Sequence, residues 1–240
     1  MRIVIVGSAK DTAKVALDSI KETLKKKPNS VICFPTGSSP LPLYNAMVED
    51  FKKKNTSYKD VITFNLDEYK GLGSKHNQSY RYFMDVNLFN NIDINIDNIN
   101  FPNGVLKDLK AECERYHKLL EENHRDIQIL GIGSNGHIGF NEPGTSFDSI
   151  THVVSLSAST IRDNSRFFTS IKEVPKQAIT MGLSEIIDSD KIILIATGIN
   201  KAKAVRDCVK GPIDESCPAS ILQKHNNVLL ILDKDAASLL

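Results

Sequence analysis

The amino-acid sequence predicts an α/β fold, a doubly wound and mostly parallel sheet flanked by helices. Three observations carry this expectation. Short β-rich runs alternate with longer segments of helical period along the chain. Several of those runs are apolar at every position instead of alternating, as strands covered on both faces require. Proline and glycine fall where the helical segments stop.

In chain order, the strand candidates are RIVIV (residues 2–6), SVICF (30–34), VITFNL (61–66), IQILGI (127–132), THVVSL (151–156), KIILIA (191–196) and NVLLIL (227–232). A helix is predicted over residues 11–26, where Val15, Leu17, Ile20 and Leu24 form an apolar stripe and Pro28 marks the end. Further helices are predicted over 40–54, 79–89, 109–123 and 201–209, the last stopped by Gly211-Pro212. No repeat, low-complexity tract or linker interrupts the series. Residues 1–240 are therefore read as one domain of Rossmann-like architecture.

Bulk properties narrow the function. Hydrophobic residues make up 41% and charged residues 25%, an ordinary globular composition. Thirty basic residues face 29 acidic ones, for a net charge of +1. That balance gives no drive toward nucleic acid or an anionic membrane, and neither is expected as a partner. The RIVIV run is too short for a secretory leader, and no window has the apolar length to span a bilayer. Cys33, Cys113, Cys208 and Cys217 are scattered without CxxC or zinc spacing. They fit buried free thiols in a reducing cytoplasm.

In open α/β sheets, ligands sit beyond the carboxyl ends of the strands. Three segments put polar chemistry there. The first is FPTGSSPLPLY, residues 34–44, where Gly37, Ser38 and Ser39 precede a helix and offer N–H groups and hydroxyls suited to a phosphate. It lacks the Walker A lysine and the GxGxxG spacing. The second is FNLDEYKGLGSKHNQSY, residues 64–80. Asp67 and Glu68 end an apolar strand and should face opposite sides, so one can enter the crevice as a general base. The third is LGIGSNGHIGFNEPG, residues 130–144, where Asn135, His137 and Glu142 sit among glycines. An imidazole poised by a carboxylate exchanges protons near neutral pH. Taken singly, these segments are also what a capped helix start, a solvated strand end and a turn-capping histidine look like. Their shared position after apolar strands sets them apart. No HExxH spacing or thiol pair points to a metal, and the remaining histidines read as surface or packing residues.

FPTGSSPLPLY, FNLDEYKGL, LGIGSNGHIGFNEPG, SRFF and ITMGLSEI, in that order, resemble the glucosamine-6-phosphate deaminase (glucosamine-6-phosphate isomerase) family. The resemblance runs from Phe34 to the ILDKDAAS segment, and GHIGFNEPG with NLDEY is its most specific part. It implies conversion of D-glucosamine 6-phosphate and water to D-fructose 6-phosphate and ammonia, with no metal or organic cofactor. It implies that His137 assists ring opening, that Glu142 and Asn135 orient and tune it, and that Asp67 moves the C2 proton to C1 through an enolamine. Gly37, Ser38, Ser39, Arg166 and Lys201 would hold the phosphate, with Ser38 and Ser39 not distinguished. Arg166 would lie on a segment able to act as a lid.

Two departures from the family shape the expectation. Asn135 stands where better-known members have aspartate, so a two-member His137–Glu142 relay is expected, with Asn135 as positioner. The longer members are hexamers activated by N-acetylglucosamine 6-phosphate through basic residues after GFNEPG. Here SITHVVSLS offers His152, Val154 and Ser155 instead, and the longer C-terminal extension is missing. A small non-allosteric enzyme, able to act as a monomer, is expected. The related 6-phosphogluconolactonases share the fold but carry different residues around these motifs. Sugar-phosphate-sensing domains of regulators resemble the fold too, but would need a DNA-binding module for which the start of this chain leaves no room.

Overall fold

The computed structural model describes residues 1–157, 160–162, 165 and 168–240. The strands are β1 (Arg2–Val6), β2 (Val31–Phe34), β3 (Ile62–Asn65), β4 (Asp67–Tyr69), β5 (Ile99–Asn100), β6 (Ile127–Leu130), β7 (His152–Ser155), β8 (Gln177–Thr180), β9 (Ile192–Ala196) and β10 (Val228–Asp233). The principal helices are α1 (Ala9–Lys26), α2 (Leu41–Lys52), α3 (Tyr80–Asn87), α4 (Leu109–Glu122), α5 (Leu183–Ile187) and α6 (Ala202–Lys210). None is long and apolar enough to cross a membrane among the described residues.

Seven strands form one sheet in the order β1-β10-β9-β6-β2-β3-β5, with every pairing parallel. The central strands β2 and β9 are apolar and buried at every position because both faces are covered. Along β9, Ile192, Leu194 and Ala196 enter one core with Cys33, Tyr116, Leu120, Val205 and Cys208, under α4 and α6. Ile193 and Ile195 enter the other, with Ile20, Ile32, Phe34, Leu43 and Met47, under α1 and α2. This is the doubly wound arrangement expected. Local capping sets the helix starts: Ser8, Ser79 and Asp108 accept backbone N–H bonds at the heads of α1, α3 and α4.

The expected THVVSL strand forms, but outside the parallel sheet. It is β7, antiparallel to β8, and β8 is antiparallel to β4, in a separate three-stranded sheet. Three strands were not anticipated. β4 and β5 have only three and two residues, too few to show a period, and β8 (QAIT) opens on a polar residue. Asp67 and Glu68 therefore do not end β3; they begin β4. α5 was also missed. It has five residues, and its start is held by Gly182 N–H donating to Glu185 at 2.8 Å.

Candidate active site

The neighbouring strands β9, β6, β2 and β3 lead at their carboxyl ends into a cavity of about 640 Å³. Its wall includes Gly37, Ser38, Ser39, Asp67, His137 and Lys201, so the polar segments after the strands meet in one place.

After β2 the chain turns through Gly37, whose φ of +99° is left-handed and suits glycine. The serines that follow do not cap the next helix. The cap position of α2 is Pro40, which makes no side-chain hydrogen bond, and Ser38 and Ser39 line the cavity instead. On the far side, the chain leaves β9 through Thr197 and Gly198. Both oxygens of Asp233 accept the Gly198 N–H, at 3.0 and 2.9 Å, and pin this turn. A short 3-10 turn, Ile199–Lys201, then brings Lys201 to the start of α6, with Asn200 and Lys201 on the wall. Hydroxyls, a helix start and an ammonium group make this end of the cavity fit for a dianionic phosphate.

β4 carries the two carboxylates, which point apart as strand alternation requires. Asp67 faces the cavity with 6% of its surface exposed. Burial, and then the neighbouring Glu68, push its carboxyl well above the usual range. Glu68 turns away from the cavity and accepts N–H bonds from Tyr69 at 2.8 Å, Tyr80 at 2.9 Å and Arg81 at 2.9 Å. Burial lifts it to about 7, against the pull of those donors. It thus anchors the start of α3 and holds Tyr80 on the cavity wall.

The loop after β6 is shaped by what glycine permits. Gly133 lies under the imidazole: a Cβ there would fall 2.2 Å from His137 Nδ1. Gly139, at φ +59°, lies against Thr180 and Asp67, where a Cβ would come 3.0 Å from Thr180 Oγ1 and 3.7 Å from Asp67 Oδ2. His137 Nδ1 is 2.7 Å from Asn135 Oδ1, and Asn135 Nδ2 donates to Glu142 Oε2 at 2.7 Å. The direct approach of Nδ1 to Glu142 Oε2 is longer, 3.8 Å. The direct pairing and a hydrogen-bonded path through Asn135 thus stand side by side, with the Asn135 amide spanning His137 and Glu142. Glu142 Oε1 accepts from Thr160 Oγ1 at 2.5 Å and faces Ser157 Oγ at 3.2 Å. Burial opposes ionisation of Glu142, but these hydroxyls, His137 and Asn135 together hold it below the ordinary range.

Arg166 lies outside the described residues, as do Asp163, Asn164 and Phe167. Arg162, Thr160, Tyr80, Thr197 and Asn200 line the cavity and were not singled out from sequence. Thr197 and Asn200 follow an apolar strand, so the rule that found the other loops would have reached them. Tyr80 and Thr160 have no such signal, since long-range pairing brings them in. Among the described residues no group of three or more histidine, cysteine, aspartate or glutamate side chains is placed to hold a metal.

The parallel sheet and the polar cavity at its strand ends define an α/β enzyme of the kind that works beyond its carboxyl edge. Residues 7–231 match the family described as glucosamine-6-phosphate isomerases/6-phosphogluconolactonase. A glucosamine-6-phosphate deaminase of Clostridium novyi (strain NT) is 52% identical over 231 residues, covering 96% of this chain and 94% of the relative. One of Thermoanaerobacter sp. (strain X514) is 47% identical over 241 residues, covering 100% and 95%. A solved monomeric glucosamine-6-phosphate deaminase superposes with a TM-score of 0.97 at 42% identity, covering 100% of both chains. A 6-phosphogluconolactonase from Trypanosoma brucei superposes at 0.82 with 17% identity over 99% and 97%, a likeness of fold alone. The chain belongs to the glucosamine-6-phosphate isomerase/6-phosphogluconolactonase family.

Proposed function

We propose that the protein is a glucosamine-6-phosphate deaminase, converting D-glucosamine 6-phosphate and water to D-fructose 6-phosphate and ammonia in amino sugar breakdown. The observation that carries this is the placing of a buried carboxylate, Asp67, and an oriented imidazole, His137, on one cavity wall with a cationic, hydroxyl-rich end. The whole-length similarity to proteins of that name supports it.

The phosphate sits between Ser38, Ser39, the Gly37 backbone and Lys201, with Arg166 expected as a further ligand by the family resemblance. His137 takes the anomeric hydroxyl proton and returns one to the ring oxygen, opening the pyranose. Asp67 then removes the C2 proton and delivers it to C1, through an enolamine. Its raised proton affinity suits this task, and the substrate's C2 ammonium, held beside it, favours the ionised form that starts the step. Water adds at C2 of the resulting iminium and ammonia leaves. Both proton transfers use side chains of this protein, and no organic cofactor or metal enters the scheme.

We read residues 1–240 as one domain, since both sheets contribute to a single cavity. We also infer a cytoplasmic enzyme that works as a monomer, without an allosteric activator, and binds neither nucleic acid nor membrane. The near-neutral net charge of +1 supports the last point.

The test is ammonia release from glucosamine 6-phosphate in the presence of a chelator, with fructose 6-phosphate followed by a coupled assay. Stoichiometric release of both is expected. Hydrolysis of 6-phosphogluconolactone without ammonia release would overturn the proposal, and so would binding of the sugar phosphate without turnover. A sigmoidal rate curve shifted by N-acetylglucosamine 6-phosphate would overturn the non-allosteric part.

A further inference from the structure

The middle member of the His137–Asn135–Glu142 chain is an amide, and an amide has two faces. Its oxygen accepts and its nitrogen donates, so which way it points decides which ring nitrogen of His137 carries the proton. An aspartate at this position would accept from the imidazole in either orientation. Asn135 does so only when something outside it fixes the flip.

The structure supplies that device. Glu142 as a carboxylate only accepts, so the Asn135 NH2 group turns toward it, at 2.7 Å. Asn135 Oδ1 is then left to the imidazole, 2.7 Å from Nδ1, and also accepts the His137 N–H at 3.3 Å. An acceptor facing Nδ1 requires the proton on Nδ1 and leaves the lone pair on Nε2. If Glu142 bore a proton toward Asn135, the amide would reverse and the ring proton would move to Nε2, which removes the base.

Glu142 is held by a hydroxyl pair. Thr160 Oγ1 donates to Oε1 at 2.5 Å. Ser157 Oγ is 2.9 Å from Thr160 Oγ1 and 3.2 Å from Oε1, and it accepts the Thr160 N–H at 3.1 Å. Ser157 has one proton to give. Donated to Thr160, it leaves the threonine proton for Glu142, and successive hydroxyl bonds of this kind strengthen each other.

We propose that Thr160 and Ser157 are positioning residues for His137: by donating to Oε1 of Glu142 they fix the Asn135 amide and so set the Nδ1–H tautomer. The direction of catalysis rests on the deaminase reading above; the tautomer does not. Neither hydroxyl needs to touch substrate for this role.

The experiment is 15N NMR of histidine-labelled free protein, with the His137 signals assigned by loss in His137→Gln, beside steady-state kinetics. Wild type should show the Nδ1–H tautomer. Thr160→Val should populate Nε2–H and lower kcat roughly tenfold, the cost of one bond to a charged group, with KM little changed. Thr160→Ser should restore both. In an Asn135→Asp background the tautomer should stay fixed, and Thr160→Val should cost much less. Ser157→Ala serves as the milder variant if Thr160→Val does not fold, with the same direction expected. A Thr160→Val protein that keeps the Nδ1–H tautomer would overturn the proposal, as would an equal loss in both backgrounds. Because the tautomer is read without turnover, an absence of ammonia release from wild type would count against the deaminase reading alone.

Discussion

Replacing Asp67 by asparagine keeps the size and shape of the side chain and removes its ability to hold a proton. Among the described residues lining the cavity, Asp67 is the sole carboxylate, so no neighbour is placed to take over. General base catalysis is worth roughly 10²- to 10⁴-fold, and transfer from carbon belongs at the upper end. Asp67→Asn is therefore expected to lower kcat by about 10³-fold or more, some 4 kcal/mol of barrier. KM should rise only modestly, through loss of the contact to the C2 ammonium, because the phosphate end of the cavity is untouched.

Stability should move the other way. Burial and the nearby Glu68 raise the Asp67 carboxyl well above its ordinary value. A carboxyl raised by folding contributes stability that is full below its unfolded value, about 3.9, and is lost as pH climbs through the folded value. Asparagine never ionises. The melting temperature of Asp67→Asn should therefore match or exceed that of wild type, with a gap that widens as pH rises from about 4. The assay pairs coupled fructose 6-phosphate formation with thermal denaturation across pH. A variant that keeps more than a tenth of wild-type kcat refutes the base assignment. A variant that loses activity only because it melts several degrees lower refutes the account of the buried charge.

Three other variants test other parts of the site. Gly133→Ala puts a Cβ 2.2 Å from His137 Nδ1, so the ring must move, and kcat should fall about 10²-fold, as a misplacement of about 1 Å costs; an unchanged rate would show that the ring need not sit there. Lys201→Ala should raise KM roughly ten- to a hundredfold through loss of an ammonium bond to phosphate, with a smaller change in kcat, and a full-progress kinetic comparison reads both. Glu68→Gln sets an NH2 group against a backbone N–H of α3 and should destabilise the fold by about 1–3 kcal/mol in urea denaturation, by whatever amount the amide fails to satisfy Tyr69, Tyr80 and Arg81.

The parallel sheet was legible, its two-residue β5 aside, because its other strands are long and apolar enough to announce themselves. Ile192 to Ala196 could hardly be anything else once Gly198 and a helical pattern follow. The same rule located the cavity loops, since polar residues directly after such strands have one common destination. Of the second sheet only β7 was legible. β4 (DEY) has no apolar run, and its partner β8 lies more than a hundred residues away, so its pairing is a tertiary fact. The hydroxyls of Ser157 and Thr160 were hidden for a related reason. Their meaning depends on Glu142, which they reach only through the folded chain. Glycines in a loop commonly supply conformational freedom. Gly133 shows the opposite use, an absent side chain whose place is taken by the imidazole.

The second sheet matters to the chemistry because it sets one proton-transfer group against the other. His137 rides on a loop from the parallel sheet, and Asp67 belongs to the antiparallel one. Their separation is not left to two independent loops. Asn141, fully buried, donates to Ile138 O at 3.0 Å and to Met181 O at 2.9 Å. Phe140 N–H donates to Thr180 Oγ1 at 3.1 Å, and Met181 N–H donates to Leu66 O at 2.7 Å. The histidine loop is thus bonded to the strand that pairs with Asp67, and that strand is bonded back to the end of β3. A base that must reach C2 and C1, and an imidazole that must reach the ring oxygen, need a fixed distance between them more than either needs a rigid support of its own. The short strands supply that distance. This is why DEY and QAIT, too brief to hold a sheet by apolar burial, are held by side-chain and backbone bonds converging on the cavity.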